Sequence, residues 1–138
     1  TMGVATLREC RLMENLDDDA LRQVADFFSA FSVPMRLKIL NALRGGERNV
    51  GELTAELGGS QANISKHLGM LTQRGLIAKS ARGTSAFYRI VDPRIFELCD
   101  LVCVQVGRRL EEQVESRNTF LRVLTAGKGA ARKKPSRR

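Results

Sequence analysis

The run "GELTAELGGSQANISKHLGMLTQRG", Gly51 to Gly75, constrains the fold more than any other part of the chain. Two short amphipathic segments meet at the pair Gly58–Gly59, and the second stops at Gly75. The first reads as a helix from about Val50 to Leu57, with Asn49 as its cap. The second is capped by Ser60, and its apolar residues Ile64, Leu68 and Leu71 recur at steps of four and three, one face of a helix. That face is narrow. The rest of Ser60 to Gly75 is mostly amide, hydroxyl and basic, contains no acidic residue, and holds the chain's one histidine, His67. Such a helix grips its own fold by a thin line and leaves most of its surface to something outside the chain.

The flanking segments complete a pattern. "LDDDALRQVADFFSAF", residues 16 to 31, places Leu21, Val24, Phe28 and Phe31 at helical spacing, with three aspartates where a helix start favours negative charge. In "SVPMRLKILNALRGG" Ser32 is a candidate cap and Pro34 suits a first turn. Leu37, Leu40 and Leu43 form the stripe, and Gly45–Gly46 end the helix. After Gly75, "LIAKSARGTSAFYRI" has two β-leaning runs around Gly83, the pattern of a hairpin. A long helix is expected from near Pro93, with Phe96, Cys99, Cys103, Val106, Leu110 and Val114 on one line and Gly107 as a point of weakness. The tail from Gly127 to Arg138 is rich in Gly, Lys and Arg, the composition of a disordered segment.

Charge follows the same division. The formal net charge is +8, and the tail supplies six of the positive charges with no acid. Before it stand 17 basic and 15 acidic residues, unevenly spread: residues 1 to 31 hold three basic and six acidic groups. Ser60 to Val91 carries Lys66, Arg74, Lys79, Arg82 and Arg89 against no acid. That asymmetry fits a polyanion met by the middle of the chain, or else a merely solvated face. At 138 residues the chain has room for one domain. No apolar run reaches the length of a bilayer span and the start lacks the apolar core of a signal peptide, so a cytoplasmic location is expected, with no membrane partner. Three cysteines in a reducing compartment are thiols, ligands or sensors rather than a disulfide framework.

Two short helices joined by a glycine turn, the second polar outside and followed by a basic hairpin, make a winged helix-turn-helix. The expected fold is mainly α with a small β-hairpin wing (α+β). A single domain is expected over residues 1–126, with a DNA-binding core at about 32–91 and a disordered basic tail at 127–138. Ser60, Gln61, Asn63, Ser65, Lys66, His67 and Gln73 are the residue types that read base edges or hold phosphates. Gln61, Ser65 and Lys66 are expected opposite the apolar stripe. Lys79, Arg82, Thr84 and Ser85 of the hairpin suit backbone or minor-groove contact.

On these residues the chain resembles a known family. "FSVPMRLKILNAL" (Phe31 to Leu43) is similar to the segment that opens the core of ArsR/SmtB repressors. "VGELTAELGGSQANISKHLGMLTQRGLIAKSARGTSAFYRI" resembles their helix-turn-helix and wing in order and spacing. The likeness runs from about Leu21 to Cys103. It implies a homodimer formed by the first and last helices, an operator with inverted symmetry on double-stranded DNA, and repression relieved by an inducer.

The same resemblance narrows the inducer. Metal-sensing members commonly carry a cysteine pair in the first helix of the motif, and "NVGELTAEL" has none. Others use histidine and carboxylate ligands on the last helix, whereas His67 sits in the second helix of the motif and reads as a DNA-facing or capping residue. Cys99 and Cys103 remain, one helical turn apart, with Cβ atoms about 6 Å apart. They suit a soft ion such as As(III) or Sb(III), with Cys10 as a third thiolate or a bystander. Three alternatives stay open: a thiol-based redox switch, a repressor with no metal sensing, and cysteines that are only core residues of a dimer helix. No cofactor is required. No nucleophile–base signature, phosphate-cradling glycine loop or buried carboxylate pair speaks for an enzyme.

Overall fold

The computed structural model describes residues 11–131, with the side chains of residues 11–129. A short 3-10 turn at Leu12–Asn15 precedes five α-helices and three strands. These are α1 (Asp18–Ser29), α2 (Pro34–Leu43), β1 (Arg48–Asn49), α3 (Val50–Leu57), α4 (Gln61–Gln73), β2 (Ile77–Arg82), β3 (Ser85–Ile90) and α5 (Ile95–Ala131). The chain divides into two units, the first ending at Pro93 and the second beginning at Arg94.

In the first unit α2, α3 and α4 pack on one another, and α2 and α4 also pack against the sheet. The core where they meet is aliphatic. Ile39 and Leu40 of α2, Leu53 of α3, Ile64, Leu68 and Leu71 of α4, and Leu76 and Ile77 entering β2 are all fully or almost fully buried. Each such side chain contributes roughly 1.5–3 kcal/mol through removal from water. The three-stranded antiparallel sheet has the order β1–β3–β2. β2 and β3 pair from Ile77 with Ile90 to Arg82 with Ser85, which leaves the two-residue loop Gly83–Thr84. Gly83 has φ 61° and Thr84 does not have positive φ, the signature of a type II′ hairpin turn. β1 is two residues long, too short for any periodicity to announce it, and adds to the free edge of β3 opposite Phe87 and Tyr88.

The caps follow their chemistry. The Asp17 carboxylate accepts from the Ala20 N–H at 2.8 Å and opens α1, with Asp18 and Asp19 in its first turn. Asn49 opens α3 with a full capping box: its side chain accepts from the Glu52 N–H, and the Glu52 carboxylate accepts from the Asn49 N–H. Ser60 opens α4, its hydroxyl accepting from the Asn63 N–H at 3.1 Å.

Three details depart from the sequence-based expectation. Ser32 does not cap α2, because its hydroxyl donates back to the Ser29 carbonyl, and Val33 occupies the cap position without a side-chain bond. In α1 and the turn after it the half-buried aromatics are Phe27 and Phe31, whose ring centroids lie 5.7 Å apart, while Phe28 is 51% exposed. In α2 Leu37 faces outward and Ile39 takes its place in the core. That shift lets Arg36 turn inward. Its guanidinium is buried and donates to the Ala30 and Ser29 carbonyls at 2.8 and 2.9 Å, satisfying acceptors at the end of α1.

The second unit is the helix α5, 37 residues and about 55 Å long. It begins at Ile95 rather than Pro93 and runs without interruption through Gly107 to Ala131. Residues Gly127–Ala131, expected within a disordered tail, are therefore helical, while Arg132 to Arg138 lie outside the described residues. The line Cys99, Cys103, Val106, Leu110 and Val114 is present on one face. Leu121, an 11-residue step after Leu110 that drifts by only about 20° on a straight helix, and Leu124, about five whole turns after Val106, continue it. Val106, Leu110, Val114, Leu121 and Leu124 are each about half exposed within the chain.

The turn between α3 and α4 depends on Gly58, whose φ of 77° and ψ of −176° lie in a region essentially closed to residues with a Cβ. Replacing Gly58 with alanine should cost about 1–3 kcal/mol. Urea unfolding checks this, and an unchanged midpoint would show that the turn does not fix the crossing of the two helices.

Candidate nucleic-acid interface

The outward surface of α4 is set by its inward one. With Ile64, Leu68 and Leu71 buried, a rotation of about 100° per residue puts Ala62, Lys66, Gly69 and Gln73 within about 50° of the opposite direction. Lys66 faces out as expected. Gln61 and Ser65 do not stand opposite the stripe but on one shoulder of the helix, with Asn63 on the other. All three are exposed, as are Ser60, Lys66 and Gln73. Periodicity measured from the centre of the stripe, instead of from a single residue, gives this placement directly.

His67 differs from this group. It is half-buried on the edge of the helix, and its pKa is lowered by burial first, then by the positive charges of Arg36 and Lys66. A neutral imidazole tucked beside a buried guanidinium belongs to the packing of α4 as much as to its outer surface.

The end of α4 fixes where the wing starts. Gly75 has φ 76°, its N–H donates to the Thr72 carbonyl, and the Leu76 N–H donates to the Leu71 carbonyl. This paired arrangement is a Schellman motif, completed by burial of Leu76. The hairpin thus leaves the reading helix at a set angle.

Within the hairpin the two-residue period separates the basic candidates. Directly paired residues share a face, so Ile77, Lys79, Tyr88 and Ile90 lie on one side, and Ser80, Arg82, Ser85, Phe87 and Arg89 on the other. Ile77 and Tyr88 are buried, which makes the first side the core side. Lys79 is exposed but belongs to that side, apart from Arg82 and Ser85. Arg89, exposed and not among the candidate contacts read from the sequence, shares the outer face with Arg82 through the register of the two strands. Thr84 lies exposed in the turn.

Arg82 is engaged within the chain. Its Nη2 donates to Glu47 Oε2 at 2.6 Å, and its guanidinium lies 4.9 Å from the centre of the Phe87 ring. The ion pair is largely solvent-exposed and worth about 0–1 kcal/mol, so it orients Arg82 without withdrawing it from an external phosphate. Glu47 is 35 residues away in sequence, which hides this contact from any local reading. At the other end of α4, Arg74 pairs with Asp26 of α1 at 3.6 Å.

A helix-turn-helix whose second helix shows an acid-free outer face, joined by a fixed turn to a basic two-stranded wing, defines the class: a winged helix-turn-helix protein that binds DNA. The comparisons with known proteins agree. The model of "Bacterial regulatory protein, arsR family" matches residues 34–79. An uncharacterized HTH-type transcriptional regulator of Mycobacterium tuberculosis, Rv0081, is 34% identical over 91 residues, covering 65% of this chain and 80% of that protein. The crystal structure of Rv0081 superposes with a TM-score of 0.64 at 31% identity, over 71% of this chain and 99% of that one. A homodimeric winged helix-turn-helix DNA-binding domain of Mycobacterium bovis, solved in solution, gives a TM-score of 0.60 at 32% identity, over 71% and 94% of the two chains. The chain belongs to the ArsR family of transcriptional regulators.

No helix among the described residues is long and apolar enough to cross a membrane, and no group of three or more His, Cys, Asp or Glu residues there forms a metal site. Cys99 is half-buried and Cys103 exposed, each as a thiol. Cys10 lies outside the described residues.

Because the folded state binds a proton on His67 more weakly than the unfolded chain does, the neutral ring stabilises the fold above the ordinary imidazole pKa. That contribution is lost as pH falls through the lowered value. Urea midpoints measured between pH 7.5 and 5 should fall less steeply for His67→Gln than for the parent protein. Parallel slopes would remove His67 from this role.

Proposed function

We propose that the protein acts as a homodimer on an operator of inverted symmetry and is released from it by a thiophilic metalloid bound at Cys99 and Cys103. The observation that carries the DNA reading is the outer surface of α4 and the wing, where Lys66, Arg82 and Arg89 lie exposed within a segment, Ser60 to Val91, that contains no acid. Lys66 and Gln73 meet base edges. Arg82, Arg89 and the wing hydroxyls of Thr84 and Ser85 hold the backbone.

Dimerisation is supported by the exposed apolar line on α5, which a second copy of the same helix covers, and by the homodimeric state of the M. bovis relative. Two reading helices related by a two-fold axis would meet half-sites about 34–36 Å apart. The sensor reading is supported by two thiols one turn apart on that same line, so a ligand joining them acts on the helix that closes the dimer. Soft thiolates select As(III) or Sb(III) over harder ions. A relative 36% identical over 74 residues, from Streptomyces lividans, is named a probable mercury resistance operon repressor, an affiliation with another thiophilic metal. A third thiolate would come from Cys10. The ligand shifts operator binding only by its differential affinity for the two dimer geometries.

Two measurements test this reading. Lys66→Ala and Gln73→Ala should each cost about 1–3 kcal/mol on the operator and relax its sequence preference, whereas Arg89→Ala should weaken all duplexes alike and reduce the salt slope by about one. Identical behaviour of the two groups in anisotropy titrations would undo the division between reading and holding. In the second measurement, near-stoichiometric arsenite should release the reduced protein from its promoter fragment, and Cys99→Ser with Cys103→Ser should abolish release. Release by a mild oxidant but not by arsenite would replace the metalloid with a redox switch, and indifference to both would leave a repressor without a thiol sensor.

A further inference from the structure

Gly69 sits in the interior of α4, in the outward row between Lys66 and Gln73. Its φ is not positive, so the backbone does not require glycine. Beyond the neighbouring backbone of its own helix, a Cβ built there would meet no atom within 4 Å, so packing does not require glycine either. Glycine in a helix interior is less favourable than alanine, because it has more conformational freedom to lose on folding. The chain therefore carries a locally destabilising residue at the middle of its reading helix with no internal reason for it.

The surroundings supply an external one. Gly69 lies on the side away from the buried stripe, with Lys66 one turn before it and Gln73 one turn after, both exposed. Ala62, two turns earlier on the same row, is also small and exposed. The long polar side chains thus bracket a shallow place in the helix surface, and Met70 beside it is itself 36% exposed. A surface that docks into a groove needs its reaching side chains to project past a region that does not hold the helix away.

We propose that Gly69 is a clearance position for duplex DNA: the absent side chain sets how deeply α4 seats, and so whether Lys66 and Gln73 reach their partners together. This rests on the DNA-binding reading of α4 and adds to it a residue that acts by its lack of atoms. It predicts an inversion of the usual relation between stability and function. Filling the position improves the helix and impairs the complex.

The test uses the full chain with Gly69→Ala and Gly69→Leu, on a duplex spanning the region upstream of its own gene and on an unrelated duplex of equal length. Gly69→Ala should raise the melting temperature by about 2–5 °C, as an interior glycine-to-alanine change does. Its affinity for the upstream duplex should fall roughly tenfold, the scale of one good groove contact. Gly69→Leu should melt no lower than the parent and lose roughly a hundredfold. The salt dependence of binding should be unchanged in both, since no charge is altered. Binding of both variants within about twofold of the parent, with the parent itself tight, would overturn the clearance role and leave the DNA reading standing. A parent chain that bound neither duplex would overturn both.

Discussion

Three side chains hold the reading helix. Ile64, Leu68 and Leu71 are each completely buried, and they are the whole of what α4 gives to the core. A helix anchored by so narrow a line would roll unless its ends were fixed, and here both are. Ser60 and the Gly58–Gly59 turn set the start, and the Schellman motif at Gly75 sets the finish. Narrow anchoring and fixed ends together give a helix with most of its surface free and little freedom to turn. An amphipathic helix with a wider apolar face would be more stable and would have less to offer an external partner.

The same economy governs the sheet. The hairpin is short and its outer face is polar apart from Phe87 and Ala78, so it adds little to the core beyond Ile77 and Tyr88. Its position is secured by pairing: β1 closes the outer edge of β3, and Glu47, just ahead of β1, reaches Arg82 near the hairpin turn. An acidic group thus serves to hold a basic one in place. Behind the sheet and helices, Arg36 spans α1 and α2 through two carbonyls and lends its charge to the environment of His67. One buried cation therefore links the first helix to the helix that reads.

The parts of this arrangement that were legible in the sequence are those set within a few residues. Caps at Asn49 and Ser60, the glycine turn, the α4 stripe and the hairpin turn around Gly83 all follow from local chemistry. What was missed depends on contacts distant in sequence or on the choice among adjacent apolar residues. Phe27 and Phe28 are equivalent to any period, and only packing decides which turns in. Leu37 and Ile39 are the same case, and the burial of Ile39 goes with that of Arg36 against the end of α1. β1 has too few residues to carry a pattern. The site was legible in type and less so in orientation: Gln61 and Ser65 lie on a shoulder, Lys79 and Arg82 lie on opposite faces, and Arg89 emerges only once the strand register is known. Gly127 and Gly129 mark a tail by composition, yet a helix already 30 residues long continues through them, because propagation is far cheaper than nucleation.

The exposed apolar line of α5 has a consequence beyond geometry. In the dimer proposed above, those side chains leave water only when two copies meet, so part of the free energy that holds each copy together comes from mass action. Such a protein does not have one stability but a range, rising with its own concentration. At low copy number the separated chains would be the species exposed to proteolysis, and at higher copy number the paired ones would persist. The amount of repressor and its lifetime then become a single variable, set by a stripe of valines and leucines that never touches DNA.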